Sequence, residues 1–250
     1  MNSVSAQADP FVVLYGIPWG MYEKILQALG HYQLRHTYIE GTLEMRALLY
    51  GVEWEDYKAF LRALGDYSLR HTYSQGTLEM MAPRKDHDWV KSILGRFIEM
   101  MSLELGIDIQ TIGSTTLTGD EVERGLQPDE AYYIANEPLV RGKDEFDPNA
   151  DPPPDLVIEV DVTNTSVKRL PALGALGVPE VWRHDEQGLH FYRRSDEGDY
   201  DVVQQSVAFP FLTPDDVLEF LNQRGEATEN EIVRSFVQRV RSKVSGQSGG

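Results

Sequence analysis

Two stretches, GLQPDEAYYI at residues 125–134 and PDLVIEVDV at 154–162, decide how this chain is read. Each sets a Pro-Asp pair before an apolar run, the pattern of a strand entered from a turn. In the second run side chains alternate, so Asp155, Val157, Glu159 and Asp161 share one face and Leu156, Ile158 and Val160 the other. A carboxylate inside such a strand is costly to bury unless it is paired or holds a metal. Asp129 and Glu159, on neighbouring strands, could converge on one hard cation.

Composition narrows the classes. The 250 residues include no cysteine, which excludes disulfide scaffolds and thiolate metal sites. A net charge of −17 argues against loose attraction to nucleic acid, though not against a local basic face beside a cleft. There is no basic-then-apolar leader and no apolar run near the ~18 residues that span a bilayer. The expected location is cytoplasmic, without membrane contact.

The chain opens on a duplication. Leu14–Met45 recurs as Leu49–Met80 with roughly two thirds of positions identical. Each copy reads as a short amphipathic helix followed by a hairpin. In the second copy Tyr57, Phe60, Leu61 and Leu64 mark the helix, Gly65 stops it, and Ser74-Gln75-Gly76 makes the turn. A helix follows with Val90, Ile93, Leu94, Phe97, Ile98, Met101 and Leu105 on one face, Asp86 or Asp88 as its cap and Gly106 at its end. Residues 107–117 alternate as one strand, 129–134 and 156–162 as two more, and Ser166–Leu176 is a helix. A strand from Val178, a hairpin around 195–199 and a helix from Thr213 to Asn222 follow. A polar helical tail with a flexible end closes the chain. The expected units are residues 1–48, an extra copy of the repeat; 49–222, the main domain; and 223–250, the tail. The first unit packs outside or mediates self-association, and its deletion should leave a folded core.

Pro128-Asp129 followed at distance by Glu159-Val160-Asp161 resembles the PD-(D/E)xK signature of restriction-enzyme-like nucleases. The blocks YSQGTLEMMAPRKDHDW, IGSTTL, GLQPDEAYYI, DPPPDLVIEVDVTNTS and LGVPEVWRHD, in that order between Leu49 and Asn222, resemble the Uma-type putative restriction endonuclease family. The resemblance implies an α/β fold, a restriction-endonuclease-like mixed sheet flanked by helices, here with a duplicated N-terminal helix–hairpin unit. It implies a Mg²⁺-dependent DNA endonuclease, with Mn²⁺ as a substitute. Asp129 and Glu159 would be the metal ligands and the Val160 carbonyl a third. By analogy a homodimer would cut two strands at once.

Where the family pattern has a lysine two residues after the glutamate, this chain has Asp161, which could instead join the metal shell. Arg169 falls where the family usually has a helix lysine, and Lys168 adjoins it; both are candidates for the missing basic group. His87 could hydrogen-bond a ligand carboxylate or act as general base. Glu79 and Glu99 could each add a carboxylate. Glu180 and Trp182 read as packing residues, and the tail arginines as a solvated face. The competing class is a catalytically inactive nuclease fold used for binding or assembly. A sugar hydrolase needs only Asp129 and Glu159, and no other block supports it.

Overall fold

Two helix–hairpin units begin the chain and repeat one another's contacts. The structure, a computed structural model, describes residues 11–32, 34–81, 85–143, 147, 150–160 and 169–247, excepting the side chains of Phe11, Arg46, Lys85, Asp86, His87 and Gln247. Strand β1 (Phe11–Leu14) precedes helix α1 (Trp19–Leu29) and the hairpin β2 (His36–Ile39) and β3 (Thr42–Arg46). Strand β4 (Leu48–Tyr50) precedes helix α2 (Trp54–Leu64) and the hairpin β5 (Arg70–Ser74) and β6 (Thr77–Met81). Both hairpin turns place two residues at positive φ, Glu40-Gly41 and Gln75-Gly76. That is the turn whose twist matches two antiparallel strands. The Tyr38 hydroxyl donates to the Ile17 carbonyl at 2.8 Å, and Tyr73 donates to Val52 at 2.9 Å. Tyr22 stacks on Tyr38 as Tyr57 does on Tyr73, with centroids 4.5 and 4.7 Å apart.

Their surroundings differ. Helix α3 (Lys85–Leu105), β7 (Gln110–Thr111), β8 (Leu117–Gly119) and β9 (Arg124–Leu126) come next. Strand β9 pairs with β5, giving a five-stranded sheet ordered β4-β6-β5-β9-β8. Gly125 lies against the Tyr57 ring, and a Cβ there would collide with the phenol. So covered, Trp54 is 8% exposed and its indole N–H donates to Asp120 at 2.9 Å, while its counterpart Trp19 is 57% exposed. Units one and two still share one apolar cluster, in which Ile25, Leu29, Leu43 and Met45 meet Phe60, Leu64 and Leu78.

The strand expected over 107–117 is divided. Gly113, at φ 56°, turns the chain, so β7 and β8 belong to different sheets. Asp86 and Asp88 fall inside α3 rather than at its cap, since the helix already includes Lys85. All the residues expected on the apolar face of α3 are buried or packed against the main core, and Gly106 at φ 65° ends it.

The remaining elements are β10 (Glu130–Tyr133), α4 (Glu137–Val140), β11 (Leu156–Val160), α5 (Arg169–Ala175), β12 (Glu180–Asp185), β13 (Gly188–Arg194), β14 (Tyr200–Val203), α6 (Pro214–Leu221) and α7 (Glu229–Gln247). A six-stranded mixed sheet runs β14-β13-β12-β11-β10-β7, with β11 parallel to β12 and antiparallel to β10. The alternation read in PDLVIEVDV separates its two faces. Leu156, Ile158 and Val160 join Trp182, Phe191 and the apolar stripes of α3, α6 and α7. Val157 joins Ala131, Val181, Leu126 and, from α5, Ala172 and Leu173 on the other side. Thr213 caps α6 by exchanging hydrogen bonds with Asp216.

The tail is not merely polar. Ile232, Val233, Phe236 and Val240 lie in the main core, with Phe236 stacked on Phe97 at 4.1 Å. Its helix runs on through Gln247, beyond the expected flexible start at Ser245. Arg239 and Arg241 of the expected solvated face pair with Glu219 and Glu104.

The main core cluster contains no residue before Val90. Deleting residues 1–48 is therefore predicted to leave the six-stranded sheet folded but to strip α2 of its cover. Thermal unfolding should show Tm lower by roughly 5–10 °C with new dye-binding apolar surface.

Candidate functional site

The antiparallel register that pairs Glu130 with Ile158 brings Asp129, just before β10, beside Glu159 near the end of β11. Both carboxylates lie on the face covered by α5 and the five-stranded sheet, and both are buried. The Val160 backbone N–H donates to Asp129 Oδ2 at 2.7 Å, tying the two strand ends together.

Two arginines meet these carboxylates. Arg169, the first described residue of α5, clamps Glu159 from two sides, Nε to Oε2 and Nη2 to Oε1, each at 2.7 Å. Its other N–H groups reach the Gln127 carbonyl at 2.6 Å, Thr72 Oγ1 at 2.5 Å and the His71 carbonyl at 3.3 Å. A guanidinium has five N–H donors, and all five are engaged. The arginine thus fastens α5 to β11, to β5 and to the link between β9 and β10.

Arg70, the first residue of β5, holds a different place. Its Nη2 lies 2.8 Å from Glu159 Oε2 and 3.0 Å from Asp129 Oδ2, and its Nη1 donates to the Val160 carbonyl at 3.1 Å. One guanidinium therefore touches the two carboxylates and the carbonyl that the family resemblance implies as metal ligands. Its side chain is 16% exposed, which puts the open edge of the site on the Arg70 side.

His71 stands behind this group. Its Nδ1–H donates to the Leu69 carbonyl at 2.7 Å, which leaves Nε2 to accept from the Tyr57 hydroxyl at 3.0 Å. Burial pushes the imidazole down to about 4; the Leu69 carbonyl opposes that shift and the Arg169 charge adds to it.

The other sequence candidates divide. Glu79 is cross-strand from Thr72 and buried on the face that carries the site. Glu99 is not brought there: it sits on α3 beside Glu130, and its carboxyl is raised by burial and then by Glu130. Asp155 accepts from the Ile134 and Asn136 backbone N–H groups at 2.7 and 2.9 Å and shapes the turn after β10. Glu180 is fully buried and accepts from Trp182 and Ala208, a packing role as read. Asp161, Lys168 and the His87 side chain lie outside the described residues. Arg70, Thr72 and Gln127 were not singled out from the sequence. The LRHTY pentapeptide shared by both copies, at 34–38 and 69–73, was the available signal.

Residues 54–223 match the Uma2 family, described as "Putative restriction endonuclease", over more than half of the chain. The chain belongs to the Uma2 family. The match begins at the helix of the second repeat, so the first copy lies outside it. No curated protein matches the chain. Among solved structures it is similar to a putative nuclease belonging to DUF820 from Anabaena variabilis ATCC 29413, at 16% identity and a TM-score of 0.43, over 67% of this chain and 90% of that one. No described helix is long and apolar enough to cross a membrane.

Among the described residues no three His, Cys, Asp or Glu side chains gather as a metal site. Asp129, Glu159 and the Val160 carbonyl offer hard oxygens, the donor type that Mg²⁺ or Mn²⁺ takes. The donors fit a cation, because a cationic group already lies among them.

Two outcomes follow for this site. Arg169→Ala is expected to destabilise the chain by about 3–5 kcal/mol in urea unfolding, because Glu159 loses its two-point partner while remaining buried. For His71 the folded imidazole resists protonation while the unfolded one, near 6.5, accepts it. Stability should thus be full above about pH 6.5 and fall towards pH 4 by on the order of 3 kcal/mol. Subtracting the stability profile of His71→Gln from that of the parent should isolate this loss.

Proposed function

We propose that this Uma2-family chain hydrolyses phosphodiester bonds in DNA, with a Mg²⁺ or Mn²⁺ ion held by Asp129, Glu159 and the Val160 carbonyl. The observation that carries the reading is the convergence of Asp129 Oδ2, Glu159 Oε2 and the Val160 carbonyl on one cationic group at 2.8–3.1 Å. Three oxygens brought together from two adjacent strand ends, two of them on buried carboxylates, make a seat for positive charge. A divalent ion bound there would lower the pKa of a coordinated water and stabilise charge on the phosphate oxygens.

The chain's own residues supply the rest. Arg169 holds Glu159 in a single orientation, so its carboxylate presents Oε2 towards the open edge. With its donors committed, Arg169 is a positioning residue and does not brace the phosphate. Arg70 is the cation nearest that edge and able to pair with phosphate two-pronged. His87, as base or as hydrogen-bond partner of a ligand carboxylate, Lys168, as the basic group, and Asp161, as an added ligand, are the further candidates, and they lie outside the described residues. The acidic chain draws DNA through this local charge rather than through its overall field.

A second reading, an inactive nuclease fold, draws on a specific observation. All five Arg169 donors are consumed inside the protein, and position 161 is aspartate where the family pattern has lysine. The sugar-hydrolase reading is not favoured: it needs only the two carboxylates, and none of the other matching blocks of the sequence supports it.

The deciding experiment incubates supercoiled plasmid and single-stranded DNA with the full chain and Mg²⁺ or Mn²⁺. Metal-dependent cutting that falls at least ~100-fold in Asp129→Asn is expected. Asp129→Asn is preferred to Glu159→Ala, which would leave the Arg169 charge buried without its partner. No cutting under any metal would favour the inactive fold.

A further inference from the structure

We propose that Arg70 is a tethered cation that occupies the metal seat of the unloaded protein and leaves it when a divalent ion binds. This rests on the metal reading above and adds a control to that site. The three oxygens that would ligate the ion are the three that the Arg70 guanidinium touches, at 2.8, 3.0 and 3.1 Å. A metal ion ligated by these three oxygens would take the lone pairs and the space that the guanidinium now fills, and the two positive charges repel at that distance. Metal and guanidinium therefore exclude one another.

The placement of Arg70 suits a movable group, in contrast to Arg169. Arg169 is buried and hydrogen-bonded to Thr72, Gln127 and His71 as well as Glu159. Arg70 begins its strand and, at 16% exposed against 6% for Arg169, is the more exposed of the two guanidiniums, on a long side chain whose head can move outward. When it does, neither carboxylate is stranded. Asp129 keeps the Val160 N–H and Glu159 keeps both Arg169 contacts.

Charge gives the exchange a consequence. Asp129, Glu159, Arg70 and Arg169 together are neutral. A divalent ion entering with Arg70 still close by adds two positive charges to these four groups, which draws a phosphodiester to the ion and to the displaced guanidinium together. A chain without metal presents no such attraction. Arg70 thus ties phosphate binding to metal loading, and in a chain of net charge −17 that local reversal is the attraction available to DNA at this edge.

The duplication supplies a matched control. Arg35 stands in the same LRHTY context as Arg70 but is exposed on the first copy. The experiment measures Mn²⁺ affinity of the full chain by the paramagnetic resonance of free Mn²⁺. It compares the parent with Arg70→Ala, Arg70→Gln, Arg35→Ala, Asp129→Asn and Arg70→Ala/Asp129→Asn, each checked for native circular dichroism. Affinity at least tenfold tighter in both Arg70 variants, unchanged in Arg35→Ala and lost in the double variant is the expected result. Parent and Arg70 variants binding Mn²⁺ equally, with Asp129→Asn abolishing it, would overturn the role of Arg70 and leave the metal reading standing. No Mn²⁺ bound by any variant would overturn both.

Discussion

The ion pair between Glu159 and Arg169 is the constraint on which the remaining geometry depends. Strand β11 is covered on both faces, so a carboxylate within it survives only if its charge is met at once. Arg169 meets it with two parallel hydrogen bonds, and the rest of its fork reaches Thr72, His71 and Gln127. One side chain thereby fixes the first described turn of α5 against the six-stranded sheet and both against the second hairpin. The position of β5 follows from that pin, and with it the position of Arg70. His71, wedged between the pin and Tyr57, stays neutral because burial beside a guanidinium leaves a second positive charge nowhere to go.

The same pair bears on how two buried carboxylates lie side by side in a strongly acidic chain. Two carboxylates brought side by side repel, and each here has a guanidinium against it, Arg169 on Glu159 and Arg70 on both. Arg169 is locked, with all its donors bonded inside the protein. Arg70, at the edge, lies within reach of solvent and carries the functional interest.

Much of this was legible in the sequence, for identifiable reasons. The alternation in PDLVIEVDV fixed which β11 residues face which core, because a period of two leaves no freedom once both faces are apolar. Gln75-Gly76 announced its turn, Gly65 and Gly106 their helix ends, and Thr213-Pro214-Asp215-Asp216 a capped start. Asp129 beside Glu159 followed from two Pro-Asp runs. What stayed hidden depended on contacts across the chain. Arg70 is 89 residues from Glu159, and LRHTY looks the same in the copy where its arginine is exposed. Residues 107–117 kept their alternation through Gly113, so pattern alone could not show a chain passing from one sheet to another. The tail looked polar because its apolar stripe, Ile232, Val233, Phe236 and Val240, is narrow and set among charges; only packing against α3 reveals it as core.

The measurement that tests this account most directly is anomalous diffraction from crystals of the chain soaked in Mn²⁺. The account predicts one peak within coordination distance of Asp129 Oδ2, Glu159 Oε2 and the Val160 carbonyl, with the Arg70 side chain turned out of the seat and Arg169 unmoved. A peak elsewhere, or none while Arg70 keeps its three contacts, would contradict it.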